Sequence, residues 1–112
     1  MKYYAYIRKS SEDKKRQIQS IPKQYKWCKS QAERRGIKIY KYFEDSSSAH
    51  KLNRQGFKDM ISSIEKSEEP IGVITWKISR LARNPIDEGV IKYAFMRKKI
   101  THILARDREY RE

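Results

Sequence analysis

Four short runs rich in β-branched and aromatic residues set the limits on how this chain can fold. They cover Lys2–Ile7, Ile37–Phe43, Ile71–Trp76 and Ile100–Ala105. Runs of this length, apolar without alternation, fit strands buried on both faces. Helix-periodic stretches lie between them. Ile21, Tyr25, Cys28 and Ala32 fall four, three and four residues apart, one face of a helix that Ser20 can cap and Gly36 can end. Phe57, Met60, Ile61 and Ile64 form a second stripe. A third helix opens at Asn84 as N-cap with Pro85 in the first position. Asp87 and Glu88 in its first turn and Arg97, Lys98 and Lys99 in its last suit the helix dipole. Strand and helix in strict alternation predict an α/β fold, with a mostly parallel central sheet of four or five strands and helices on both faces. The 112 residues make one domain, and Asp107–Glu112 reads as a charged, unpatterned edge.

The chain carries 27 Lys and Arg against 14 Asp and Glu, a net charge of +13. Such an excess attracts a polyanion, with nucleic acid the first candidate. A membrane surface is the rival, but no run approaches the ~20 apolar residues of a span and no signal-peptide pattern opens the chain. Cys28 is the single cysteine, which excludes an intrachain disulfide and a cysteine-based zinc site and fits a reducing cytoplasm. With four glycines and no Walker A or GxGxxG pattern, a nucleotide-cradling loop is not expected. His50 and His102 are far apart, and no carboxylate pair has metal-ligand spacing.

Ligand sites in open α/β sheets lie outside the carboxyl ends of the strands. Arg8 and Ser10 follow the first run, and Arg80 and Arg83 follow the third, three apart and so on one face of a helical turn. Arg54 opens the second helix after a polar stretch, Asp45 to Asn53, that Asp45 begins. A hydroxyl close to several fixed positive charges suits attack on a phosphate, where arginines can take the place of metal ions. Each residue also has a plainer reading. Lone arginines at strand ends are commonly solvated, and lone serines commonly cap or turn. Trp27, Trp76 and the tyrosines inside strands read as core before they read as base-stacking platforms.

Taken together, these motifs resemble the catalytic domain of the serine site-specific recombinases, the resolvase/invertase and large serine integrase family. Tyr6-Ile7-Arg8-Lys9-Ser10 is similar to the family's Tyr-x-Arg-x-Ser. The segment from Gln19 to Gln24 is similar to the opening of its first helix. Asp45, Ser48 and Arg54 match Asp-x-x-Ser with an arginine six residues on, and Ser79-Arg80-Leu81-Ala82-Arg83-Asn84 resembles Asp-Arg-Leu-x-Arg-Asn. Two positions depart: Ser79 stands where the family commonly has aspartate, and Ser63 where its resolvase branch has lysine.

The resemblance implies a resolvase-like catalytic fold over residues 1–112, as a fragment of a longer protein whose DNA-binding domains lie elsewhere. It implies that Ser10 attacks a phosphodiester of double-stranded DNA to give a 5′-phosphoserine link, followed by strand exchange and religation. No metal, ATP or other cofactor is required, and no small-molecule substrate. Arg8, Arg80, Arg83 and Arg54 would be catalytic, with Asp45, Gln19, Gln24 and Ser48 in support, in a dimer or tetramer of the full-length protein. The alternatives are a non-catalytic basic nucleic-acid-binding α/β module and an α/β regulatory domain.

Overall fold

A computed structural model describes residues 1–9, 17–46 and 54–112, except for the side chains of 17–20 and 46. The elements run β1 (Lys2–Lys9), α1 (Gln17–Arg35), β2 (Ile39–Ser46), α2 (Gln55–Lys66), β3 (Ile71–Thr75), α3 (Ile78–Leu81), α4 (Pro85–Met96), β4 (Ile100–Leu104) and β5 (Glu109–Arg111). They build one sheet in the order β2-β1-β3-β4-β5. The first four strands are parallel, and β5 returns antiparallel to β4. This is the expected mostly parallel α/β sheet. Its fifth strand arises from the tail that reads as unpatterned.

β1 is buried without a break from Tyr3 to Arg8 because both of its faces are covered. Tyr4 and Tyr6 point into a core with Phe43, Phe57, Met60, Ile64, Val73 and Ile91, on the side of α2 and α4. Ala5 and Ile7 point the other way, against Cys28 of α1, with Ile74 and Leu104. The period of two along the strand thus sorts one apolar run into two cores. Burial pushes the Cys28 thiol up to about 12, so it serves as core packing.

The helix ends show how local chemistry is used. Gly36 adopts φ +66 and closes α1: the Ile37 N–H donates to the Ala32 carbonyl at 2.8 Å and the Gly36 N–H to Glu33 at 3.4 Å. That is the Schellman arrangement, in which a glycine takes the left-handed position. Asn84 caps α4 by accepting from the Asp87 N–H at 2.9 Å, with Pro85 in the first turn.

Three local readings are corrected. Ser20 does not cap α1: the helix already runs from Gln17, with Pro22 inside it, because packing of the Ile21–Ala32 stripe on the sheet outweighs the local break. Asp45 lies within β2 rather than opening the following loop. Arg80 and Arg83 do not share a helical face, because α3 is a single turn and Ala82 is extended. No helix among the described residues is long and apolar enough to cross a membrane.

Candidate active site

The carboxyl ends of β1, β2 and β3 lie side by side, and β1 overhangs β3. Tyr6 pairs with Thr75, the last residue of β3, while Arg8 pairs only with Asp45 of β2. The single turn of α3 fills the space beyond β3. Arg8 alternates onto the same face as Tyr4 and Tyr6, and its side chain therefore meets that turn. Its Nε donates to the Arg80 carbonyl at 2.9 Å and its Nη2 to the Ser79 carbonyl at 2.6 Å. Arg8 is 5% exposed, and its Nη1 is buried with no hydrogen-bond partner among the described residues. Gln24, wholly buried on α1, brackets the Arg8 backbone: its Oε1 accepts from the Arg8 N–H at 3.2 Å and its Nε2 donates to the Arg8 carbonyl at 2.9 Å.

Arg80 is 9% exposed, whereas Arg83 stands in solvent. Burial lowers the pKa of the Arg8 guanidinium from its ordinary value. The nearby Tyr6 opposes that shift, while the charges of Arg83, Arg80 and Arg54 add to it. The charges of Arg83, Arg80 and Arg54 therefore all reach Arg8 at this edge of the sheet. Arg54 immediately precedes α2; its guanidinium lies 4.4 Å over the Phe57 ring and forms an ion pair with Asp87.

Asp45 works through hydrogen bonds. It accepts from the Gly56 N–H at 2.7 Å, the Phe57 N–H at 2.9 Å and the Tyr6 hydroxyl at 2.5 Å. It thereby caps α2 from a neighbouring strand, a service the residue at the cap position, Arg54, does not supply. Burial, with the bond to Asp45, raises the Tyr6 hydroxyl far above its ordinary pKa and keeps it protonated. Thr75 donates its hydroxyl to the Tyr6 carbonyl at 2.9 Å, which fixes β1 against β3.

Ser10, Ser48 and the Gln19 side chain lie outside the described residues. The structure brings Arg8, Gln24, Asp45, Arg54, Arg80 and Arg83 to one edge. Two further participants are Tyr6, which the sequence marks as the first residue of the Tyr-x-Arg-x-Ser resemblance but gives no place in the site, and Asp87, which it marks only as a helix-dipole residue. Tyr6 is signalled by alternation, two residues before Arg8 on the same face. Asp87 is the third residue of a capped helix, where a carboxylate usually turns back to its own cap. Among the described residues no group of three His, Cys, Asp or Glu side chains is placed to hold a metal.

Chemically, this edge concentrates guanidinium groups, some dry and some solvated. Such a set can take up charge on phosphate oxygens.

The model of the family "Resolvase, N terminal domain" matches residues 3–111. Among solved structures, the N-terminal catalytic domain of TP901-1 integrase superposes with a TM-score of 0.74 at 25% identity, covering 96% of this chain and 78% of that one. A resolvase family site-specific recombinase from Streptococcus pneumoniae gives 0.77 at 23% identity, over 96% and 72%. The C-terminal catalytic domain of ISC1926 TnpA, an IS607-like serine recombinase, gives 0.68 at 19% identity, over 95% and 66%. The last two similarities bear on the fold alone. No curated protein sequence matches the chain.

Proposed function

We propose, for a chain that belongs to the resolvase N-terminal domain family and is thus a serine-recombinase catalytic domain, that Ser10 is the residue that attacks DNA. The Ser10 oxygen forms a bond to phosphorus as the bond from phosphorus to the 3′ oxygen breaks. The proton lost by the serine ends on the departing 3′-hydroxyl, and the 5′ phosphate stays on the protein. The phosphoserine ester conserves the phosphodiester energy, so the reverse attack by a 3′-hydroxyl of another duplex rejoins the strands.

The observation that carries this reading is the burial of arginine at the strand end. A surface that bound DNA by charge alone would keep its cations in water. Here Arg8 and Arg80 are withdrawn to 5% and 9% exposure beside the solvated Arg83. Withdrawing arginine from water is costly unless its N–H groups find acceptors, and the Arg8 Nη1 has none among the described residues. Non-bridging phosphate oxygens, which gain charge in the transition state, are acceptors of the right kind. In this reading Arg80, Arg83 and Arg54 contact the phosphate. Arg8 contributes its charge and its remaining Nη1. Gln24 and Asp45 hold the ends of β1 and α2 in place, with Gln19 and Ser48 in support. Double-stranded DNA is the substrate, and exchange of cut duplexes requires a dimer or tetramer.

The test uses a pool of nicked suicide duplexes, in which cleavage releases a short strand and traps the covalent intermediate. The expected result is a protein–DNA adduct that maps by peptide mass to Ser10 and disappears in Ser10→Ala. An adduct that persists in Ser10→Ala overturns the assignment of the nucleophile.

A further inference from the structure

We propose that Asp87 is a positioning residue of this site: its carboxylate holds one edge of the Arg54 guanidinium so that the other edge is presented to a DNA phosphate. The inference rests on the recombinase reading above and adds a residue to it. Arg54 Nη1 donates to Asp87 Oδ2, and both side chains are largely withdrawn from water, at 15% and 9% exposure. The Phe57 ring supports the guanidinium plane at 4.4 Å. With one edge paired and one face covered, the rotation of Arg54 is restricted. Its Nη2 is buried with no hydrogen-bond partner among the described residues. A dry, unpaired N–H is a standing cost to the folded protein, and it is removed when an acceptor arrives. A phosphate oxygen is such an acceptor, and a planar guanidinium can serve a carboxylate and a phosphate from different edges at once.

Asp87 is itself held. Its N–H is bound by the Asn84 side chain, which fixes the third residue of α4 and aims the carboxylate away from the helix. Asp45 cannot share the task, because its two oxygens are taken by the Gly56 and Phe57 N–H groups and the Tyr6 hydroxyl. The Arg54–Asp87 pair also joins the start of α2 to the start of α4, directly after Arg83. It therefore sets the spacing between two of the phosphate-binding arginines.

The test is a double-mutant cycle of Asp87→Asn and Arg54→Gln, read as the single-turnover rate of suicide-duplex cleavage and as DNA affinity. Asp87→Asn is expected to slow cleavage roughly 10- to 100-fold, the scale of an ångström-sized misplacement, with DNA affinity changed by less than about threefold. In the Arg54→Gln background the same change is expected to slow it no further, and Asp87→Glu should restore part of the rate. Two independent, multiplying losses would show that Asp87 acts only on the helix, and would overturn the proposal. A second readout is independent of cleavage: the Arg54 side-chain NMR signals should show hindered rotation in the unmodified protein and free rotation in Asp87→Asn. Unchanged Arg54 signals in that variant overturn the proposal whatever the cleavage data show. An adduct surviving Ser10→Ala would instead count against the nucleophile and leave the Arg54–Asp87 result standing.

Discussion

Arg8 does two things that a different cation could not do together. Its fork meets two successive carbonyls, of Arg80 at 2.9 Å and Ser79 at 2.6 Å, and so clamps the single turn that carries Arg80. It also keeps a positive charge in a place where burial disfavours one, which an arginine tolerates because its ordinary pKa is so high. A lysine would offer a point charge on a flexible stem, and the same burial would drive it toward neutrality. Arg8→Lys is therefore expected to abolish most cleavage, by about 100-fold or more in single-turnover rate. It should also cost roughly 1–3 kcal/mol of stability from carbonyls left unpaired. Urea denaturation beside the cleavage assay checks both. A variant with full activity would show that the fork is dispensable and that charge alone suffices.

At the scale of elements, the junction of β2 and α2 is the tightest point near the site. A Cβ added at Gly56 would sit 2.5 Å from the Glu44 carbonyl oxygen and 2.9 Å from Asp45 Oδ1. Backbone cannot yield at such distances, so Gly56→Ala should lift the start of α2 off the sheet and carry Arg54 with it. The expected cost is about 1–3 kcal/mol, with cleavage falling further than stability alone explains. Gly89, in the exposed middle of α4, provides the control, since a Cβ there meets nothing within 4 Å. Gly89→Ala should be stabilising by up to about 1 kcal/mol, measured by the same urea midpoints. The contrast also shows what can be read from sequence. The four parallel strands, the Gly36 terminus and the Asn84–Pro85 start are carried by local signals, namely apolar runs, a left-handed glycine and a capping side chain. β5 is not, because Glu109–Arg111 is exposed throughout and has no apolar alternation. The end of α3 before Arg83 and the start of α1 ahead of Ser20 are set by tertiary packing rather than propensity. In the site, the arginines are legible from their places at strand ends and, for Arg54, at the start of the second helix. The Arg54–Asp87 pair joins residues 33 apart and has no local signature.

Across the whole molecule, the opposite end of the sheet is tied by a network that spans the first and last elements. The Tyr3 hydroxyl meets His102 Nδ1 at 2.6 Å, across β3, where Gly72 leaves room for the ring; a Cβ there would lie 2.3 Å from it. His102 Nε2 then donates to Glu109 of β5 at 2.8 Å, since a carboxylate only accepts. Arg35 at the end of α1 binds the same carboxylate with both Nη groups, at 3.1 and 3.2 Å, and Arg111 adds a contact at 2.7 Å. Hydrogen bonds from Arg35 and His102 hold the Glu109 carboxyl down to about 2. Its unfolded value is near 4.3. Because folding lowers this pKa, the stabilisation is fully present above about pH 5 and is lost as pH falls through the unfolded value toward about 2. The group is partly solvated, so its contribution is about 1 kcal/mol or less after screening. Acid also raises the already large net charge of +13 and weakens the whole fold by self-repulsion. The comparison must therefore be between the unmodified protein and Glu109→Gln at each pH. Urea midpoints should show Glu109→Gln less stable at pH 7, with the gap closing progressively between about pH 5 and pH 2. A gap that stays constant over that range would mean that Glu109 acts by shape rather than by charge. It would leave the antiparallel strand held to the sheet by its backbone bonds alone.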